Sequence, residues 1–265
     1  MPGLHTGAIF SAPVILRKIM KGAVPMFTPR ALIPAKGNPY YNRKSDGGYS
    51  PCIAGKPRQS GLTVLANCVG YATGRFNEII NSGSCLYLGN TNAENFIVLA
   101  ESQGLAVKRE PSFGGCMVWA KGKPGNSADG AGHVAIVEGI NPDGSIVTSE
   151  SEWSHRPFVT RVRSGSNWSQ GSGYTYLGCI VNPGSANPYT RPDYTIRQSD
   201  NSAGVKWLQY YLQAHGFDLG VWGIDGSFGS CTLKALKRFQ ARFGLLPDGV
   251  CGRLTKNALE RGFAV

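Results

Sequence analysis

Residues 129–153 read DGAGHVAIVEGINPDGSIVTSESEW. At their centre, Asn141-Pro-Asp-Gly144 is a turn signal between two runs that mix apolar and polar residues as strands do. An even-length hairpin loop there puts His133 opposite Glu152 and makes Glu150 its diagonal neighbour, all three on one face of the pleat. A carboxylate in that place fixes the tautomer of the imidazole and stabilises the imidazolium. The competing reading of Glu150 and Glu152 is the solvent side of an edge strand.

Working outward, short strands are predicted at Gly115–Ala120, His133–Ile140, Ser145–Trp153, Arg156–Arg163 and Tyr174–Asn182. Upstream the texture is helical. Val69, Ala72, Phe76 and Ile79 recur on one face of a 3.6-residue period, which predicts a helix from Asn67 to Ile80 with Asn67 as its N-cap. A second helix is predicted from Asn92 to Gln103, after a loop-rich lead from Asn38 to Ser60. Helices followed by an antiparallel sheet make the class α+β. Cys68 falls in the first turn of the first helix, where free N–H groups and the helix dipole favour an anion. A lone cysteine is more often a small buried hydrophobe. The histidine and acid of the hairpin are what make this one a nucleophile candidate.

Downstream, Asn182-Pro-Gly-Ser-Ala-Asn-Pro-Tyr-Thr-Arg-Pro-Asp193 breaks every period and reads as a linker. Beyond it lies an internal repeat. Asp225-Gly-Ser-Phe-Gly-Ser-Cys-Thr-Leu-Lys-Ala-Leu236 aligns with Asp248-Gly-Val-Cys-Gly-Arg-Leu-Thr-Lys-Asn-Ala-Leu259. Each copy is a glycine turn feeding a helix, and Val205, Leu208 and Leu212 mark a helix before them, so the tail is a small three-helix domain. The expected division is a basic N-terminal arm (1–37), a catalytic body (38–183), a linker (184–194) and the tail (195–265). The prolines of the linker argue against a core shared by the two domains.

The chain has 265 residues, 42% of them hydrophobic, enough for real cores. No apolar run approaches the ~20 residues of a membrane span. The net charge of +11 favours a polyanionic partner: nucleic acid, anionic lipid or cell wall. No nucleic-acid-binding motif accompanies it. Seven widely spread cysteines and no CxxC pair exclude a small disulfide scaffold and the usual zinc spacings. Cys231 and Cys251 lie in the two repeat copies and are expected to be free thiols. Arg17, Lys18 and Lys21 follow the first apolar run instead of preceding it, so no cleavable signal is read. The segment is either a flexible arm or an extension upstream of Met26.

Three stretches carry a resemblance: Asn67-Cys-Val-Gly-Tyr-Ala-Thr-Gly-Arg75, Asp129-Gly-Ala-Gly-His-Val-Ala-Ile-Val-Glu138 and Gly144-Ser-Ile-Val-Thr-Ser-Glu-Ser-Glu-Trp153. Together they resemble the CHAP family, cysteine- and histidine-dependent amidohydrolases and peptidases of papain-like, NlpC-related fold. The repeat and Ala235-Leu-Lys-Arg-Phe-Gln240 resemble the type 1 peptidoglycan-binding domain. The pairing is similar to endolysins from phages of Gram-positive hosts.

The resemblance implies Cys68 as nucleophile, His133 as general base and Glu150 as the third catalytic residue. Asn67 is implied as an oxyanion support, and Glu152 stands where many relatives have Asn. Some relatives bind calcium before the nucleophile, but no Asp or Glu lies between Gly47 and Asn67, so neither metal nor other cofactor is expected. Trp153 is a candidate for the substrate groove, whereas Trp119, Trp207, Tyr210, Tyr211 and Trp222 read mainly as core. Lys234, Lys237, Arg238 and Arg242 are candidates for contact with the wall, or a solvated helix face. The expected function is hydrolysis of a peptidoglycan amide by a monomer that binds peptidoglycan and neither nucleic acid nor membrane. It would be made in the host cytoplasm and act on the wall after release. A bacterial autolysin of the same chemistry and a catalytically inactive wall-binding protein are the alternatives.

Overall fold

The computed structural model describes residues 27–35, 38, 40, 67–81, 85–89, 91–122, 132–153 and 156–263. The N-terminal residues 1–26, most of the lead from Asn38 to Ser60 and the carboxylate-free stretch before Asn67 lie outside the described residues. So do the histidines at 5 and 155.

Helix α1, Cys68–Ile80, is capped as expected: Asn67 is extended, and its side-chain oxygen accepts from the Val69 N–H. Asn81 ends it in the left-handed region at φ 54°. A 3-10 turn at Ala93–Asn95 leads into α2, Phe96–Ser102, which together occupy the second predicted helix.

The strands are β1 (Val107–Lys108), β2 (Cys116–Lys121), β3 (His133–Ile140), β4 (Ile146–Glu150), β5 (Val159–Arg163) and β6 (Tyr174–Ile180). They form one antiparallel sheet in the order β1-β6-β2-β3-β4-β5. Only the two-residue β1 was not anticipated. One face of the sheet, with Val118, Val134 and Ile136, buries Ala72 and Phe76 of α1. The other face carries a second cluster of Met117, Trp119, Ala135, Val137 and Ile146, closed over by Trp168.

The hairpin differs from the expectation in one detail. Ile140 pairs with Ile146, leaving a five-residue loop, and a bulge at Glu138 restores the predicted register, so that Ile136 pairs with Ser149. The bulge turns Glu138 under α1, where it accepts from Arg75 Nε and Nη2, both at 2.9 Å, and from Ser149 Oγ at 2.7 Å. Tyr71 of α1 donates in turn to Ser149 Oγ. This buried network fixes α1 against β3 and β4.

The tail holds α3 (Ala203–Ala214), α4 (Ser230–Arg242) and α5 (Arg253–Glu260). The repeat has a buried centre that the aligned motif does not contain. Gln209 Nε2 donates to Asp225 Oδ1, Ser227 O and Thr232 Oγ1, while its Oε1 accepts from Gly226 N. Gln240 does the same for Asp248, Val250, Thr255 and Gly249. Each amide thus ties a glycine turn to the helix on either side of it.

The two domains are packed together, which corrects the expectation of a linker without a shared core. Gly184 and Ser185 are buried, and Tyr210 Oη donates to Ser185 O at 2.9 Å. Apolar residues of both domains form one continuous cluster. Gly262 accepts from the Phe113 N–H at 2.7 Å. It has φ +86°, a conformation that favours glycine, and a Cβ there would lie 2.3 Å from Ile140 Cδ1, so that side chain would have to shift. The end of the expected arm is also held in place: Phe27 is buried against Phe113, and Arg30 N donates to Glu138 Oε2 at 2.8 Å.

Candidate active site

Cys68 is the first residue of α1 and is 9% exposed. His133 is the first residue of β3 and is 7% exposed. Gly132 lets the strand start there: its φ is +60°, and a Cβ would come within 2.5 Å of Trp119 O. Cys68 stands on one side of the His133 ring, close enough to be among the groups that raise its pKa. From the other side Glu150 Oε2, fully buried at the end of β4, meets His133 Nε2. With Nε2 engaged by the carboxylate, Nδ1 is the ring nitrogen left for the thiol.

Electrostatics follow from this line of three. Burial alone would lower the pKa of His133, but the bonds to Cys68 and Glu150 outweigh it and raise the ring to about 9. Burial would likewise push Glu150 up. Its bond to His133, the imidazolium charge, Arg163 and Arg161 hold it below the usual carboxylate range instead. The ring is therefore stabilised as an imidazolium, fixed in plane by an ionised acid and in contact with a thiol. That arrangement can take a proton from sulfur and return it to a leaving group.

The other candidates take the following places. The Asn67 oxygen is occupied as a helix cap, and its backbone N–H donates to Ser151 Oγ at 2.9 Å. Glu152 lies past the end of β4. It accepts from Arg156 Nε and Nη2 at 2.8 and 3.0 Å and pairs with Arg161, so the direct cross-strand partner expected of His133 is not the one it meets. Trp153 is 52% exposed just beyond Glu152. Trp119 is core, as are Trp207, Tyr210 and Tyr211, whereas Trp222 is 77% exposed. Lys234, Lys237 and Arg238 are exposed on α4, but Arg242 reaches across to Asn141 Oδ1 at 2.6 Å and so belongs to the domain contact.

Among the described residues, no three His, Cys, Asp or Glu side chains gather as metal ligands, and no helix is long and apolar enough to cross a membrane. Cys116, Cys179, Cys231 and Cys251 are free thiols like Cys68. Cys85 is disulfide-bonded to a partner outside the described residues.

Two family models match the chain. Residues 58–152, which contain Cys68, His133 and Glu150, match the CHAP domain, and residues 201–259 match a putative peptidoglycan binding domain. The chain carries a CHAP domain followed by a peptidoglycan-binding domain. The staphylococcal secretory antigen SsaA of Staphylococcus aureus (strain NCTC 8325) is 30% identical over 158 residues, 53% of this chain and 57% of that protein. The antigen ssaA2 of the same strain is 33% identical over 132 residues, 46% and 45% of the two chains. The CHAP-domain chain thus spans about half the length of these curated relatives. Among solved structures, the SleB N-terminal domain is 37% identical, covering 26% of this chain and 93% of that one, with a TM-score of 0.25. An N-acetylmuramoyl-L-alanine amidase from Staphylococcus aureus is 24% identical, covering 44% and 31%, with a TM-score of 0.33.

Two residues of the CHAP site were not singled out from sequence, Arg161 and Arg163. Their signal was present: they alternate on a predicted strand, and such parity puts both on one face. What was missing was the register of β5 on β4, because the segment between them holds no turn pair of the kind that fixed the β3–β4 hairpin.

Proposed function

We propose that the protein is a peptidoglycan hydrolase that cleaves an amide bond of the wall through Cys68, His133 and Glu150, with the tail domain holding it on the polymer. The observation that carries this reading is the pairing of His133 Nε2 with the buried Glu150, with Cys68, the first residue of α1, beside the same ring. The CHAP and peptidoglycan-binding matches supply the substrate class.

In this reading Cys68 Sγ gives its proton to His133 and attacks the amide carbonyl carbon. The Cys68 backbone N–H, at the start of α1, stabilises the oxyanion. The C–N bond breaks as the His133 proton moves to the leaving amine, and a thioester remains. A water molecule then loses a proton to His133 and attacks the thioester. Carboxylate leaves, and the thiol is regenerated. Glu150 stays ionised throughout and holds the ring. N-acetylmuramoyl-L-alanine amidase and peptide endopeptidase activities both fit this chemistry.

Mass spectrometry of purified walls digested by the full chain tests the reading. New amino and carboxyl ends at one amide position support it and identify the bond. Release of reducing sugar ends without new amino groups, or no release at all, overturns it.

A further inference from the structure

Arg163 is nearly fully buried at the end of β5, and all three of its guanidinium nitrogens are bound. Nη2 donates to both oxygens of Glu150, at 2.7 and 2.8 Å, and to Gln170 Oε1. Nε donates to Thr148 Oγ1 at 3.1 Å, and Nη1 to Ser169 O at 2.9 Å. The Arg163 Cζ lies over the Trp119 ring, 4.6 Å from the centroid. Trp119 is the register partner of His133, with the rings 6.1 Å apart. Arg163 therefore grips the acid by its charge and leans on the aromatic neighbour of the histidine.

The groups around Glu150 define what this does. His133 faces it from β3, Arg161 and Arg163 from β5, and Thr148 from its own strand. Cys68 stands beyond His133, Glu152 lies on the far side of Arg161, and Trp119 on β2 is neutral. Arg161 is partly exposed and shared with Glu152, so Arg163 is the buried cation committed to Glu150. Without it, a carboxylate with no solvent contact would compete with His133 for the proton that the reaction needs on the ring.

We propose that Arg163 is a positioning residue of the hydrolase site: it keeps Glu150 ionised and aimed at His133 Nε2. This rests on the hydrolase reading above, but one of its tests does not need activity. In Arg163→Met, the low-pH inflection of the His133 ring carbons in NMR, which reports the Glu150 proton, should move up by about one unit or more. The acid limb of kcat/KM on wall fragments should move with it. Arg163→Lys keeps the charge but not the bonds to Thr148 and Ser169. It should leave the limb in place and lower kcat with KM unchanged.

An inflection and limb that stay put in Arg163→Met overturn the proposal. So does wild-type kcat in Arg163→Lys, which remains decisive if the Met variant does not fold. A shifted inflection in a protein that cuts no wall amide upholds the role of Arg163 toward Glu150 and overturns only the hydrolase reading.

Discussion

Phe263, three residues past the last helix of the tail, stacks on Phe113 of the catalytic body, with ring centroids 4.2 Å apart and planes 12° from parallel. His215, Phe27 and Tyr211 close around the pair. The body and the tail domain are thus packed against each other through these rings.

Phe263→Ala should therefore weaken both halves at once. A buried Phe→Ala change costs about 3–5 kcal/mol in a well-packed core. Calorimetry should show one transition for the wild type, and a lower or split one for the variant. A fragment ending near Pro183 exposes Phe113 and should melt well below the full chain. Equal melting temperatures would show that the contact contributes nothing.

Cys68→Ala should leave the fold intact and reduce wall hydrolysis by about three orders of magnitude or more, as loss of a nucleophile does. Glu150→Gln should be severely impaired, and Glu152→Gln should retain most activity, since its partners are Arg156 and Arg161 rather than the ring. Serine at Cys116, Cys179, Cys231 or Cys251 in turn should be tolerated. Turbidity loss of purified walls measures all of these.

Stability should respond to pH through His133. Its folded pKa of about 9 lies above the unfolded value of ~6.5. The stabilisation is then fully present below 6.5 and is lost as pH rises toward and through 9. Denaturant unfolding at pH 6 and pH 9.5 should show a drop that His133→Gln largely removes.

His215 should act in the opposite sense. It is buried among Phe113, Phe239, Phe243 and Phe263, and it donates from Nε2 to Leu259 O. Burial first, then the Arg242 charge, hold its pKa down to about 4 against the backbone bond. Its contribution is complete above 6.5 and declines as pH falls to 4. His215→Phe should flatten the acid side of the stability curve between those values, and an unchanged slope would refute this.

Gln209→Ala and Gln240→Ala should each leave a turn with unpaired buried groups, at a cost of about 1–3 kcal/mol or more. Unfolding free energies near wild type would mean that the turns hold without their amides.

The α1 cap, the hairpin turn and the diagonal placement of Glu150 were legible because each depends on residues a few positions apart. Asn67 sits beside the helix it caps, and Asn141 to Gly144 mark where the two strands turn back on each other, although the register at Glu150 also needs the bulge at Glu138. Arg163 and Gln209 were not legible in the same way. Each is defined by groups that arrive from several strands or helices, and neither residue type announces that role. The proline-rich stretch misled for a related reason. Prolines break periodicity, which removes helix and strand signals, but they do not prevent a segment such as Gly184–Ser185 from lying buried between two cores.

The turn of the tail domain is a head-to-tail device: α4 receives one turn at its start and offers Gln240 to the next. Gln240 stands eight residues after Thr232, so the matching place after Thr255 is position 263. There the chain has phenylalanine, with no amide to grip a further turn. The side chain that stands in place of the amide is the one that stacks on the neighbouring domain. An amide at position 263 would mean giving up that stack, so one residue both leaves the repeat pattern and joins the two domains.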